Sequence, residues 1–198
     1  TLDEHLHVWH LEDYFNTGEY SSSVYGPVTS LLGHVANVLL GIEQWGSPLM
    51  TAEAYAVRHM VIATIGLAGL AAVFLLGRLI LRSWEWGIVA AASLASLPLW
   101  VGHSMFNVKD ISVATGYTMV TASLVLVLSR EWTVARRVIG SSALFSVGTF
   151  LAVGTRPASL ALISASALVA VFLWAAVDYQ RWSLRVRWVV LGAAGVIL

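Results

Sequence analysis

Apolar side chains gather along the 198 residues in long runs, broken by short connections that carry charge, proline or glycine; the first 57 residues follow a different pattern. A membrane-spanning helix needs about 20 apolar residues at roughly 1.5 Å of rise each. On that ruler the pattern predicts spans near 58–81, 85–102, 111–128, 137–153 and 158–177, and a sixth, cut short, over 187–198. The runs are far longer than barrel strands, and unpaired backbone is costly in lipid, so each is read as a helix. Gly, Ala and Ser recur inside them ("IGLAGLAAVFLLG", "AAASLASL", "SASALVA"), as helices that pack closely in lipid require. The predicted fold class is all-α: a polytopic transmembrane helix bundle over 58–198 behind an extracytoplasmic loop, 1–57, that carries interfacial helices.

Within that loop "DEHLHVWHLEDYF" predicts a short helix and "NTGEYSSSVYGP" a turn-rich stretch. "VTSLLGHVANVLLGI" has apolar positions near helical spacing but is too short and punctuated to span.

Composition sharpens this reading. Hydrophobic residues make up 58% and charged residues 11%, against about a quarter charged in soluble domains, so a lipid bilayer is the expected surrounding. The formal net charge is zero, and without a basic field or a recognition motif no nucleic acid partner is expected. Cysteine is absent, which excludes disulfides, thiolate metal sites and thiol catalysis. A first residue Thr1 and a final apolar run "VVLGAAGVIL" suggest a fragment of a longer membrane protein.

Charge also orients the bundle. Arg78 and Arg82, then Arg130, Arg136 and Arg137, then Arg181, Arg185 and Arg187 fall in three connections that share one side if the spans alternate. The positive-inside rule makes that side cytoplasmic. The opposite, extracytoplasmic side receives the N-terminal stretch, with five acids and three histidines in its first 27 residues and no Lys or Arg. It also receives the turns "GHSMFNVKD" and "GTRP", and localisation in the cell membrane follows. Asp3 and Glu4, Lys109 and Asp110, and Arg156 thus converge on one boundary, where ionisable groups are costly unless paired, hydrated or used. Such a set suits glycosyl transfer, with a carboxylate taking the acceptor's proton and cations holding a leaving lipid phosphate.

"DEHLHVWHLEDYFNTGEY" followed by "YGP" resembles the first outer loop of GT-C membrane glycosyltransferases of the family 39 type. That group includes protein O-mannosyltransferases and the aminoarabinose transferase of lipid A. "AVRHMVIATIGLAGLAAVFLLGRLI" resembles the family's next helix, and "AAASLASLPLWVGHSMFNVKDISVA" the following helix with its second acidic motif; the likeness covers roughly residues 1–128. It implies inverting transfer from a polyprenyl-phosphate sugar donor to a glycan, lipid or protein acceptor. Asp3 then matches the base, Glu4 its companion, and Asp110 the acid that positions substrate or a divalent metal cation. Arg58 matches the Arg at the helix start and, with Lys109 and Arg156, would bind the donor phosphate; His103 and Tyr25 would contact substrate. "VTSLLGH" stands where the mannosyltransferases carry a His-Pro-Pro element, which argues against a protein hydroxyl as acceptor.

Plainer roles remain open for each residue. Asp3, Glu4 and Asp110 suit helix N-termini, Lys109 can snorkel to water, and Arg58 can pair with Glu53 or another loop acid. His7 and His10 could share a helix face, which permits a metal without requiring one. Two rival functions persist: a secondary transporter, which needs midplane charges and paired broken helices, and a non-catalytic membrane subunit, which needs no convergence of Asp3 with Asp110.

Overall fold

The computed structural model describes residues 2–20, 25–129 and 133–178, with side chains from residue 5 to residue 172 within those ranges. Eight helices are described: α1 (Leu2–Thr17), α2 (Val28–Leu39), α3 (Ala52–Leu81), α4 (Trp84–Ala95), α5 (Pro98–Phe106), α6 (Asp110–Leu128), α7 (Val134–Thr155) and α8 (Ser159–Asp178). No strand occurs among the described residues. The chain divides into a unit ending at Ile163 and a second from Ser164 onward, whose described part is the remainder of α8. The predicted sixth span, Arg130 and the basic residues Arg181, Arg185 and Arg187 lie outside the described residues.

Among the described residues three helices are long and apolar enough to cross a membrane: α3, α6 and α7. One of the five expected spans takes a different form. The run at 85–102 is not one straight helix but α4 and α5, bent by 70°, and counting that pair as one span gives four. Pro98 supplies the reason. It lacks an N–H and excludes helical backbone at the residue before it, and Leu97 accordingly adopts φ −78°, ψ 117°. α8 (Ser159–Asp178) matches the predicted run at 158–177.

α3 begins at Ala52 rather than 58 because Thr51 caps it, its Oγ1 accepting from the Ala54 N–H at 3.3 Å. Its 30 residues reach about 45 Å at 1.5 Å per residue, longer than a hydrocarbon core, so one end stands clear of it. α2, the element judged too short to span, packs antiparallel along that end. Asn37 Nδ2 donates to the Ala54 carbonyl at 3.1 Å, and Gly33 leaves room for the Arg58 side chain, whose Cγ would stand 2.8 Å from any Cβ placed there.

α6 and α7 form the tightest crossing. A Cβ at Gly116 would lie 2.6 Å from the Gly148 carbonyl oxygen, and one at Gly148 2.7 Å from that of Gly116. Ser123 Oγ donates to the Ser141 carbonyl at 2.8 Å, and Val120, Ala152 and Ile163 form a core beside it with Tyr117, Leu124 and Phe145. Gly148→Ala should therefore cost about 1–3 kcal/mol through overpacking against backbone. Gly102→Ala, where nothing lies within 4 Å, is the matched control. Melting in detergent micelles checks this; equal melting temperatures for the two variants would show that the helices yield freely.

The helices alternate in direction. Asp110, at the start of α6, meets Arg156, at the end of α7, at 3.3 Å. At the opposite end Arg137 Nη1 donates to the Ser129 carbonyl at 2.6 Å and Arg78 lies over the Trp84 ring. The described histidines, Lys109, Arg58, Arg156 and every acid whose side chain is described except Glu85 lie at the first end, and Arg78, Arg82, Arg136 and Arg137 at the second, with Glu85 on the first turn of α4.

Candidate functional site

Asn107, in the connection between α5 and α6, organises the start of α6. Its Oδ1 accepts from the Lys109 N–H at 3.1 Å and the Asp110 N–H at 2.9 Å, groups a helix start leaves without intrahelical partners. Its Nδ2 in turn donates to Asp110 Oδ2 at 2.9 Å. The Asp110 carboxylate is thereby aimed away from the helix, at an N-terminus whose dipole favours negative charge. Arg156 Nη2 donates to its other oxygen at 3.3 Å, and His103 Nδ1 stands 3.7 Å from Oδ2.

Tyr25 completes the group from the segment before α2. Lys109 Nζ lies 4.5 Å and Arg156 Cζ 5.3 Å from its ring centroid, and Arg156 Nη2 is 3.5 Å from its hydroxyl. Five of the residues singled out from sequence, Tyr25, His103, Lys109, Asp110 and Arg156, so form one cluster drawn from four parts of the chain. The Asp110 side chain is 46% and that of Arg156 41% exposed, so the pair is open to a ligand and contributes little to stability.

An apolar groove of 340 Å³ runs from this cluster between α4, α5 and α6, lined by Leu94, Leu97, Leu99, Trp100, Ile111 and Ala114, with His103 and Asp110 at its polar end. The bend at Pro98 opens it, because α5 turns away from the line of α4.

Asp3 and Glu4 lie on the first turn of α1; their side chains are outside the described ones. The His7 ring, on the next turn of α1, meets the Tyr25 ring edge-on at 6.1 Å. α1 is also joined to α3, where the Tyr55 hydroxyl and His5 Nδ1 are 2.8 Å apart.

The described bonds of Arg58 run elsewhere. It is 8% exposed and pairs with Glu43 Oε1, while its Nη1 donates to the Leu49 carbonyl at 2.8 Å. Glu43, 4% exposed, also accepts from the Leu49 N–H at 2.8 Å and contacts His34 Nδ1 at 2.6 Å. Because His34 Nε2 accepts from the Gly46 N–H, its ring proton sits on Nδ1 and is donated to Glu43. The cavity beside Arg58, lined in part by His7, Leu11, Tyr55 and His59, holds 20 Å³, about the space of one water and too little for a sugar. Of the partners expected from sequence, Glu53 is exposed, and the alternative, another loop acid, is met by Glu43; a lone acid in "GIEQWG" carries no mark of burial that could have singled it out.

No family model, no curated protein and no solved structure matches the chain. What the cluster can do therefore rests on its own chemistry. Lys109 and Arg156 stand with the Asp110 carboxylate at the polar end of an apolar groove, an arrangement that can receive an anionic head on an apolar chain. A divalent cation fits poorly at Asp110, whose oxygens are already engaged by Arg156 and Asn107 and whose neighbours are cations. Among the described residues no three His, Asp or Glu side chains come together as a metal site. Burial pushes the Tyr20 phenol, beside the His10 ring, upward, which keeps it neutral at physiological pH.

Proposed function

We propose that this protein is a membrane glycosyltransferase that moves a sugar from a polyprenyl-phosphate donor to an acceptor hydroxyl on the extracytoplasmic face. The observation that carries the reading is the meeting of Lys109, Arg156, Asp110 and His103 at the end of the 340 Å³ groove. An isoprenoid chain suits the groove, and a phosphodiester suits the cations.

In the reaction an acceptor oxygen forms its bond to the anomeric carbon as the bond from that carbon to the phosphate oxygen breaks, inverting the centre. Asp3 takes the acceptor's proton and later releases it to water. Lys109 and Arg156 hold the charge that builds on the departing lipid phosphate, while Asp110 fixes Arg156 and His103 hydrogen-bonds the sugar.

The bent α4–α5 pair gives the transporter reading one broken helix. That reading needs a matching break in a second repeat, and none occurs among the described residues. Purified protein reconstituted in bilayers with labelled polyprenyl-phosphate sugars tests the assignment. Sugar should reach an acceptor with or without a chelator, and Arg156→Gln should raise the donor KM about 10–100-fold by removing a charge-assisted contact. Flux of intact donor across the bilayer, with no glycosidic bond made, would favour transport instead.

A further inference from the structure

Exposed apolar side chains belong where helices face lipid, but five of them stand elsewhere. Leu39, Leu40, Trp45, Leu49 and Met50 are 81, 63, 64, 40 and 47% exposed, all at the end of α2 or in its connection to α3. That connection sits at the outermost end of α3. Thr115 Oγ1 donates to the Ile65 carbonyl at 3.1 Å, and α3 and α6 run the same way, with Ile111 packed at Gly66 and Thr115 at Gly69. Asp110 is therefore level with about residue 60 of α3, and Ala52 stands about 12 Å farther out at 1.5 Å per residue. Arg58, Asp110 and Arg156 separate this tip from the apolar spans, so lipid around the spans does not cover it.

The tip is held in one shape. The Ile42 and Glu43 N–H groups donate to the Asn37 carbonyl at 2.9 and 3.3 Å. The Gly46 N–H donates to His34 Nε2 at 3.3 Å, the Leu49 N–H to Glu43 Oε1 at 2.8 Å, and Arg58 Nη1 to the Leu49 carbonyl at 2.8 Å. The Phe15 ring, from α1, meets the Trp45 ring edge-on at 5.5 Å. Buried Glu43 and His34 thus fix the backbone while leucine, tryptophan and methionine side chains are left in water. Apolar side chains gathered at one exposed place mark a contact surface, Trp and Met are enriched at such contacts, and a fixed backbone lowers the cost of binding.

Charge selects the occupant. Residues 1–57 contain seven acids and no Lys or Arg. Exposed Glu53 follows Met50 by three residues, and exposed Glu12 lies one turn before Phe15 on α1. A second copy would bring the same acids against these, and like charges across an interface repel. We propose that the tip at 39–50 docks a partner protein through an amphipathic segment, its apolar side chains on Leu39, Leu40, Trp45 and Met50 and its Lys or Arg residues beside Glu12 and Glu53. This surface is separate from the Asp110 cluster, and its assignment does not depend on the glycosyltransferase reading.

The test uses the full chain in zwitterionic nanodiscs and, as probe, an amphipathic peptide helix with a leucine face and a lysine face. Its counterpart carries glutamate in place of lysine, and empty nanodiscs give the lipid background. The lysine peptide should bind the chain, and the glutamate peptide about tenfold more weakly or less. Leu39→Ser combined with Leu40→Ser should weaken the lysine peptide about tenfold, the scale of anchor residues at a contact. Its melting temperature should stay near wild type, because both side chains lie mostly in water. Met50→Ser, at the other edge of the tip, should act in the same direction. The chain has no cysteine, so Gln44→Cys takes a single fluorescent label, which the lysine peptide should shield and brominated lipid should not quench.

No binding of the lysine peptide to wild type, equal binding of the two peptides, or undiminished binding in both variants overturns the proposal. Quenching of the label by brominated lipid overturns it by making the bilayer the occupant. Self-association of the wild type in micelles that is lost with Leu39→Ser and Leu40→Ser overturns it in favour of a second copy. Sugar transfer is read in none of these measurements, so the two readings stand or fall separately.

Discussion

Exchanging Asp3 for asparagine is expected to abolish sugar transfer, by about 10²–10⁴-fold, the usual worth of a general base. Donor affinity should stay near wild type, because in the proposed reading the cations that would hold the phosphate belong to other elements. Asp110→Asn should behave differently. It retains the side-chain shape but releases Arg156, so donor KM should rise along with the fall in kcat. The two variants thus separate proton removal from donor positioning, read from initial rates at varied donor concentration. Full activity in Asp3→Asn would move the base to another residue, and a KM effect in Asp3→Asn equal to that in Asp110→Asn would place both acids on the donor.

Removing Glu43 should produce the largest change in stability. Glu43→Ala leaves Arg58 at 8% exposure and His34 at 0% without the carboxylate that joins them, and breaking a buried pair in this way costs about 3–5 kcal/mol. Glu43→Gln keeps an acceptor for the Leu49 N–H and for Arg58 but loses the charge, so it should fall between. The readout is thermal unfolding in detergent micelles, with protease sensitivity of the 40–51 connection as a second measure. A Glu43→Ala protein that melts like wild type would mean that water reaches Arg58. Since Arg58 was expected from sequence to hold donor phosphate, Arg58→Gln assayed alongside separates a folding defect from a binding one.

Much of the architecture was legible because lipid is an unforgiving solvent. Long apolar runs must be helices there, and α3, α6 and α7 follow the sequence pattern to within a few residues at most ends. Pro98 was visible as a residue, but not how far the chain would turn on it. A 20-residue window registers hydropathy and is blind to a missing backbone donor, so α4 and α5 were merged. The small residues of α6 and α7 announced close packing; that Gly116 faces Gly148 depends on the rotation of each helix, which hydropathy does not encode.

The cluster was legible in part for the same reason. Alternation of spans puts residues 109–110 and 156 at one end whatever the details of packing, so Asp110, Lys109 and Arg156 could be grouped before any contact was known. Tyr25 was singled out in the "YGP" turn as a substrate contact, but its approach to Lys109 and Arg156 depends on how that segment packs against the end of α7. Arg58 shows where the reasoning stopped: sequence placed it at the correct end but could not tell a ligand-facing arginine from one whose charge is spent on Glu43.

By itself, then, the sequence determined the apolar helical character that suits a bilayer and the end at which the described Asp110, Lys109, Arg156 and Arg137 lie, because span length and the cost of charge in lipid act on residues one at a time. Tertiary structure alone decided which charges pair, where the groove opens and which ring Lys109 and Arg156 both approach. Those outcomes depend on helix rotation and on contacts between residues up to 131 positions apart, and an electrostatic partner is chosen by distance in space.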